Sequence, residues 1–205
     1  MVKKQTVFVV DDDDGIREGL GVLLETVDLP HRLFSSALEF LNAFDVNDSG
    51  CLLVDVRMPR MSGMDLQQRL ISMGATLPTI FITGHGDIPM AVEAMRRGAV
   101  DFLRKPFREQ ELLDRINEAL RGDVGKRERQ EEQQNLLARV DSLSAREKEI
   151  FHRVTDGEMN KRIADDLGIS QRAVEVHRAQ VMKKLGVQTL AHLVRVSLAV
   201  QAADQ

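Results

Sequence analysis

The stretch Gly50-Cys51-Leu52-Leu53-Val54-Asp55 decides the fold. Residues 51 to 54 offer no polar face, so a strand made of them must be covered on both sides, as the strands of a parallel sheet are. The run ends on a carboxylate, which must lie beyond the covered part. Working outward, the same grammar recurs. Val7-Phe8-Val9-Val10 precedes Asp11-Asp12-Asp13-Asp14, Thr79-Ile80-Phe81-Ile82 precedes Thr83, and Val100-Asp101-Phe102-Leu103 is followed by Lys105-Pro106. A weaker strand is expected at 31–34. Ile16, Leu20, Leu23, Leu24 and Val27 fall on one stripe of an amphipathic helix, and Leu112, Leu113, Ile116 and Leu120 repeat the pattern. The alternation predicts five strand-helix units over 1–121, wound into a five-stranded parallel α/β sheet covered by helices on both faces. Ligands of such sheets sit beyond the C-terminal strand ends.

At 205 residues, 43% of them apolar, the chain suits two domains of unequal size. Its net charge of -4 hides an asymmetry. Residues 1–121 carry 14 basic and 19 acidic side chains, whereas 144–201 carry 10 and 7, so the two parts suit different partners. The single Cys51 excludes an intrachain disulfide and reads as a buried, reduced thiol. Met1-Val2-Lys3-Lys4 leads into too short an apolar run for a signal peptide, and no stretch approaches the roughly 18 apolar residues of a membrane span. A cytoplasmic chain without membrane contact is expected.

Residues 122–143 are polar, with Gly122, Gly125 and a run from Lys126 to Asn135 that holds no apolar side chain. This reads as a linker, helical toward its end, whose Leu136, Val140 and Leu143 could pack against a partner. From 144 to 205 the pattern is helical only. Ser144-Ala145-Arg146-Glu147 is a capping box, Asn160 is expected to cap a second helix, Gly168 to make the turn, Ser170 to cap a third helix to Leu185, and 189–201 to form a fourth. Helix, short turn, capped helix is the helix-turn-helix arrangement.

The strand ends carry the chemistry. The acidic run, Asp55, Thr83 and Lys105 converge in a doubly wound sheet, and crowded carboxylates repel unless neutralised. A hard divalent cation with oxygen ligands, Mg²⁺ before others, answers that need. One carboxylate could then act as nucleophile toward a phosphoryl group, with the metal, Lys105 and Thr83 stabilising its oxygens. Taken singly, each residue has a plainer reading: an Asp at a strand end usually caps the next helix, an acidic run is usually solvated, and Lys105 could be a surface lysine. Their joint placement at four strand ends favours the site.

As a set these motifs resemble the receiver domains of two-component response regulators over residues 5–121. They are Val-Val-Asp-Asp at 9–12, Leu-Val-Asp-Val-Arg-Met-Pro at 53–59, Ser-Gly-Met-Asp at 62–65, Ile-Thr-Gly-His-Gly at 82–86 and Lys-Pro-Phe at 105–107. The resemblance implies a flavodoxin-like fold with Asp55 as phosphoacceptor for a partner histidine kinase. It implies Asp12, Asp55 and the Arg57 carbonyl as metal ligands, with Asp11 in the acidic pocket. Thr83 and Lys105 would contact the phosphoryl group, Phe102 would be the aromatic switch, and Lys105-Pro106 would be a cis peptide. The receiver would catalyse its own phosphoryl transfer and dephosphorylation, and no metabolic reaction. Phosphorylation would drive homodimerisation; Met90, Ala91, Val92, Ala94 and Met95 supply apolar surface that suits either that face or core packing.

In the third C-terminal helix Val174, Val181 and Leu185 point to a core, leaving Arg172, Glu175, Arg178, Ala179 and Gln180 outside. Cations there can neutralise phosphates, and Arg, Glu and Gln can read base edges. Lys161 and Arg162 open the preceding helix. The motifs Leu-Ser-Ala-Arg-Glu at 143–147, Asn-Lys-Arg-Ile-Ala at 160–164, Leu-Gly-Ile-Ser at 167–170 and Lys-Lys-Leu-Gly-Val at 183–187 resemble a LuxR-type helix-turn-helix over 140–201. With the receiver likeness this places the chain in the FixJ/NarL group, nearest FixJ. The likeness implies contact with double-stranded DNA through Lys161, Arg162, Gln171, Arg172, Glu175, Val176, Arg178, Ala179, Gln180, Lys183 and Lys184, with RNA polymerase a candidate further partner. Glu147 and Lys184 also suit capping and pairing. Two rival readings are an Asp-nucleophile phosphohydrolase and a protein-interaction module in place of the DNA-binding one. The first would place its nucleophile after the first strand and needs a cap-sized insertion that the chain lacks.

Overall fold

The computed structural model describes residues 5–84 and 88–203. Met1 to Lys4, and His85 and Gly86 of the 82–86 motif, lie outside the described residues. The chain divides into two units, Met1–Arg127 and Glu128–Gln205.

In the first unit, strands β1 (Thr6–Val10), β2 (His31–Phe34), β3 (Gly50–Asp55), β4 (Thr79–Thr83) and β5 (Asp101–Arg104) alternate with helices α1 (Asp14–Thr26), α2 (Ala37–Ala43), α3 (Gly63–Ser72), α4 (Ile88–Arg96) and α5 (Glu109–Asp141). All neighbouring strands are parallel, in the order β2-β1-β3-β4-β5. The period-two alternation of strand side chains sorts them into two cores. Phe8, Val10, Leu52, Val54 and Phe81 pack on one face with Phe34, Phe40, Leu66 and Leu70. Val7, Val9, Cys51, Leu53, Ile80 and Ile82 pack on the other with Leu20, Leu24, Leu112 and Ile116. Cys51 is fully buried, and desolvation followed by the nearby Asp123 charge pushes its thiol up to about 12, so it behaves as a small apolar side chain.

The polar stretch expected to be a linker is helical from its start, since α5 runs unbroken through Gly122 and Gly125 to Asp141. Its later apolar residues do not await a partner. Val140 and Leu143 are buried in the core of the second unit and Leu136 packs against it.

That core is built by α6 (Ala145–Thr155), α7 (Asn160–Leu167), α8 (Gln171–Leu185) and α9 (Leu190–Ala203). Ser144 makes the expected capping box with Glu147, and Ser170 caps α8 by accepting from Ala173 N. Asn160 does not cap α7. Met159 stands at the cap position without a side-chain bond, because the Asn160 Oδ1 instead accepts from Arg178 Nη1 of α8 at 3.0 Å. No described helix is long and apolar enough to cross a membrane.

Candidate functional site

Sheet register assembles the site. Val10 pairs with Val54, so Asp11 and Asp55 emerge side by side where the strand order reverses between β1 and β3. Asp55 pairs with Ile82, which sets Thr83 one step on, and Thr83 pairs with Arg104, which sets Lys105 one step on.

The acidic run divides its labour. Asp11 is buried and turns into the site; its Oδ1 accepts from Asp13 N at 3.0 Å, and Arg17 Nη1 holds its carbonyl at 2.7 Å. Asp12 is exposed at the rim. Asp13 takes the capping role, accepting from Ile16 N, and Asp14 pairs with Arg17. The plainer reading of a strand-end Asp thus holds for Asp13, and the site reading suits its neighbour Asp11.

Lys105 joins the two strands. Its ammonium donates to Asp11 Oδ2 at 2.6 Å and to Asp55 Oδ1 at 3.0 Å, while Asp55 Oδ2 accepts from Arg57 N at 2.6 Å. Burial pulls the Lys105 ammonium down, but the Asp11 and Asp55 bonds more than offset this and hold it above the usual lysine range. Lys105-Pro106 is a cis peptide, and Lys105 N donates to the Thr83 carbonyl at 2.8 Å. Thr83 is buried; Phe102 is half-buried, its ring 6.4 Å from that of Phe81.

Two carboxylates on one ammonium leave a surplus negative charge. Among the described residues no three acidic, His or Cys side chains converge as a metal cage. The hard oxygen donors Asp11, Asp12, Asp55 and the Arg57 carbonyl nonetheless fit a cation that keeps several waters and needs only one or two carboxylates.

The role of Gly63 was missed in the sequence. A Cβ there would stand 2.3 Å from the Asp55 carbonyl oxygen, so the chain after Asp55 folds back on the strand end only because residue 63 has no side chain. The signal was the Ser62-Gly63 pair itself, whose serine caps α3.

In the second unit Val174, Val181 and Leu185 of α8 are buried, while Gln171, Arg172, Glu175, Val176, Ala179, Gln180 and Lys183 are exposed, as are Lys161 and Arg162 at the start of α7. Two of the cations expected to meet DNA are already engaged. Arg178 is half-buried on Asn160, and Lys184 Nζ donates to the buried Glu147 Oε2 at 2.7 Å. That bond, with the backbone N–H of Ser144, lowers the Glu147 carboxyl to about 2.

A family model described as the response regulator receiver domain matches residues 7–117, and one described as bacterial regulatory proteins of the luxR family matches 141–197. The chain is 44% identical over 195 residues to the response regulator protein TmoT of Ectopseudomonas mendocina, covering 95% of this chain and 89% of that one. It is 44% identical over 199 residues to the transcriptional regulatory protein FixJ of Azorhizobium caulinodans, covering 97% and 94%. Among solved structures it is similar to the response regulator StyR (TM-score 0.87, 45% identity, covering 95% of this chain and 98% of that one). It is also similar to full-length FixJ from B. japonicum (TM-score 0.59, 39% identity, covering 98% and 99%).

Proposed function

The chain belongs to the response regulators that join a receiver to a LuxR-type DNA-binding domain, a family of transcription regulators, and from that premise we propose that phosphorylation of Asp55 controls its binding to DNA. The observation that carries the reading is the single ammonium of Lys105 shared by Asp11 and Asp55, which leaves the trio with a surplus of negative charge at the C-terminal end of the sheet.

A histidine kinase would present a phosphohistidine. An Asp55 carboxylate oxygen attacks phosphorus, the P–O bond forms as the P–N bond breaks, and the imidazole leaves with the electron pair and is protonated. Asp12, Asp55 and the Arg57 carbonyl, with Asp11 beside them, would hold a divalent cation such as Mg²⁺, which would neutralise the phosphoryl oxygens. Lys105 moves its bond from Asp55 to a phosphoryl oxygen, and the Thr83 hydroxyl donates to another. The Phe102 ring follows Thr83. Attack by water on phosphorus would break the O–P bond to Asp55, releasing inorganic phosphate and returning the carboxylate, so the receiver would run its own cycle and no metabolic reaction.

We place the dimer contact on α4, where Ile88, Val92 and Met95 are exposed while Ala94 faces the core. In the output domain Lys161, Arg162, Arg172 and Lys183 would neutralise phosphates, and Gln171, Glu175, Val176, Ala179 and Gln180 would meet base edges. Arg178 and Lys184, engaged by Asn160 and Glu147, would act from those anchored positions. A dimer would place two α8 helices in successive major grooves about one DNA turn apart, in the cytoplasm and within reach of RNA polymerase. Incubation with acetyl phosphate and Mg²⁺ tests the chemistry: one acid-labile phosphate per wild-type chain and none on Asp55→Asn is expected. Equal labelling of both would contradict it.

A further inference from the structure

The receiver match ends at residue 117, yet a carboxylate that accepts four hydrogen bonds lies beyond it. Asp123 is fully buried. Its Oδ2 accepts from Ser49 Oγ at 2.7 Å and from Gly50 N at 2.9 Å, and Arg127 Nε donates to both of its oxygens at 2.9 Å. Arg127 reaches further, donating through Nη1 to the Asn47 carbonyl at 3.4 Å and through Nη2 to the Asp48 carbonyl. The segment they grip is itself packed closely against β1. Gly50 has φ +143 and its Cβ position would fall 1.8 Å from the Thr6 carbonyl oxygen, so it is pinned against β1.

The local sequence pulls both ways, because Lys126 to Gln134 are good helix formers while Gly122 and Gly125, just before them, are poor ones. Residues 122–135 have no apolar stripe to pack this part of α5 against the sheet, so a polar anchor has to hold it there. A buried ion pair adds little net stability but fixes register, because any slip leaves the charge unpaired. Asp123 and Arg127 are one turn apart on α5, and their partners open β3, the strand whose other end is Asp55.

We infer that Asp123 and Arg127 are positioning residues that clasp α5 to the base of β3, so that the phosphorylation state at one end of β3 is passed on through an ordered helix beyond residue 127. The inference rests on the reading of Asp55 as phosphoacceptor and deepens it. The clasp is the point where a frayed helix would uncouple the two units without touching the chemistry.

The test uses the full chain and the variants Arg127→Ala, Arg127→Lys and Asp123→Asn. Amide exchange is followed in peptides over 118–135, with β1 and β3 peptides as fold controls. Acid-labile phosphate is measured after acetyl phosphate and Mg²⁺, and DNA affinity is measured on a duplex selected from a random library by phosphodonor-treated wild type. Arg127→Ala and Asp123→Asn should speed exchange over 118–135 by about tenfold or more with the controls unchanged. Phosphate incorporation should stay at the wild-type level, while the phosphorylation-dependent gain in DNA affinity falls roughly 3- to 30-fold. Arg127→Lys, which keeps the charge but not the fork, should recover part of both. Unchanged exchange over 118–135, equal loss of protection in β1 and β3, or an intact gain in affinity would overturn the inference. A wild-type chain that takes no phosphoryl group would instead defeat the Asp55 reading, and the exchange arm would still decide the clasp.

Discussion

Each unit holds a buried carboxylate on one lysine, and the two arrangements end in opposite electrostatic states. In the output domain Glu147 receives Lys184, the Ser144 N–H and the capping geometry of α6, so every demand of its charge is met. In the receiver Lys105 must serve both Asp11 and Asp55, and the sum remains negative. A saturated pair fixes packing. An unsaturated one keeps affinity for a cation and reactivity toward an electrophile.

Removing each lysine should separate the two cases, with the larger effect at the receiver. Lys105→Met leaves two neighbouring buried carboxylates without their shared cation and should cost about 3 kcal/mol of receiver stability in chelator. Much of that should return with millimolar Mg²⁺, seen as a shift of the urea midpoint; an equal midpoint with and without Mg²⁺ would break the contrast. Lys184→Met removes a partner that is itself 44% exposed, so the output domain should lose only about 1 kcal/mol, with no response to Mg²⁺.

Titration sharpens the same contrast. The Glu147 carboxyl, lowered from its ordinary 4.5 to about 2, contributes stability that is full above pH 4.5 and is lost as pH falls toward 2. Lys105, raised above its ordinary 10.5, contributes stability that is full at neutral pH and is lost only as pH climbs past the lysine range. Melting curves from pH 2 to 5 should therefore show a loss in the output domain that Glu147→Gln abolishes. The smallest effect is expected on the outer face of α8: Lys183→Ala should reduce the salt slope of DNA binding by about one and leave Asp55 phosphorylation untouched.

The strands, the convergence of Asp11, Asp55, Thr83 and Lys105, and the Ser144 and Ser170 caps were legible because each rests on local pattern: period-two burial, residue type at a strand end, or a hydroxyl before a helix. What escaped depends on contacts distant in the chain. The helix through Gly122 and Gly125 contradicts their propensity because Asp123 is paired across 73 and 74 residues with Gly50 and Ser49. Asn160 looked like a cap until Arg178, 18 residues away, claimed its side chain. Gly63 stood inside a motif, but its reason is a backbone approach to Asp55 that no spacing reveals. The four aspartates at 11–14 are identical as letters and differ only in where α1 begins.

The most direct measurement compares wild type with Asp55→Asn, each with and without acetyl phosphate and Mg²⁺, by DNase footprinting on the selected duplex with sizing of the same samples. The account predicts that phosphodonor moves wild type toward a dimer and extends its footprint at lower protein concentration, while Asp55→Asn stays unresponsive in both. An equal response from the two proteins would contradict control of DNA binding through Asp55.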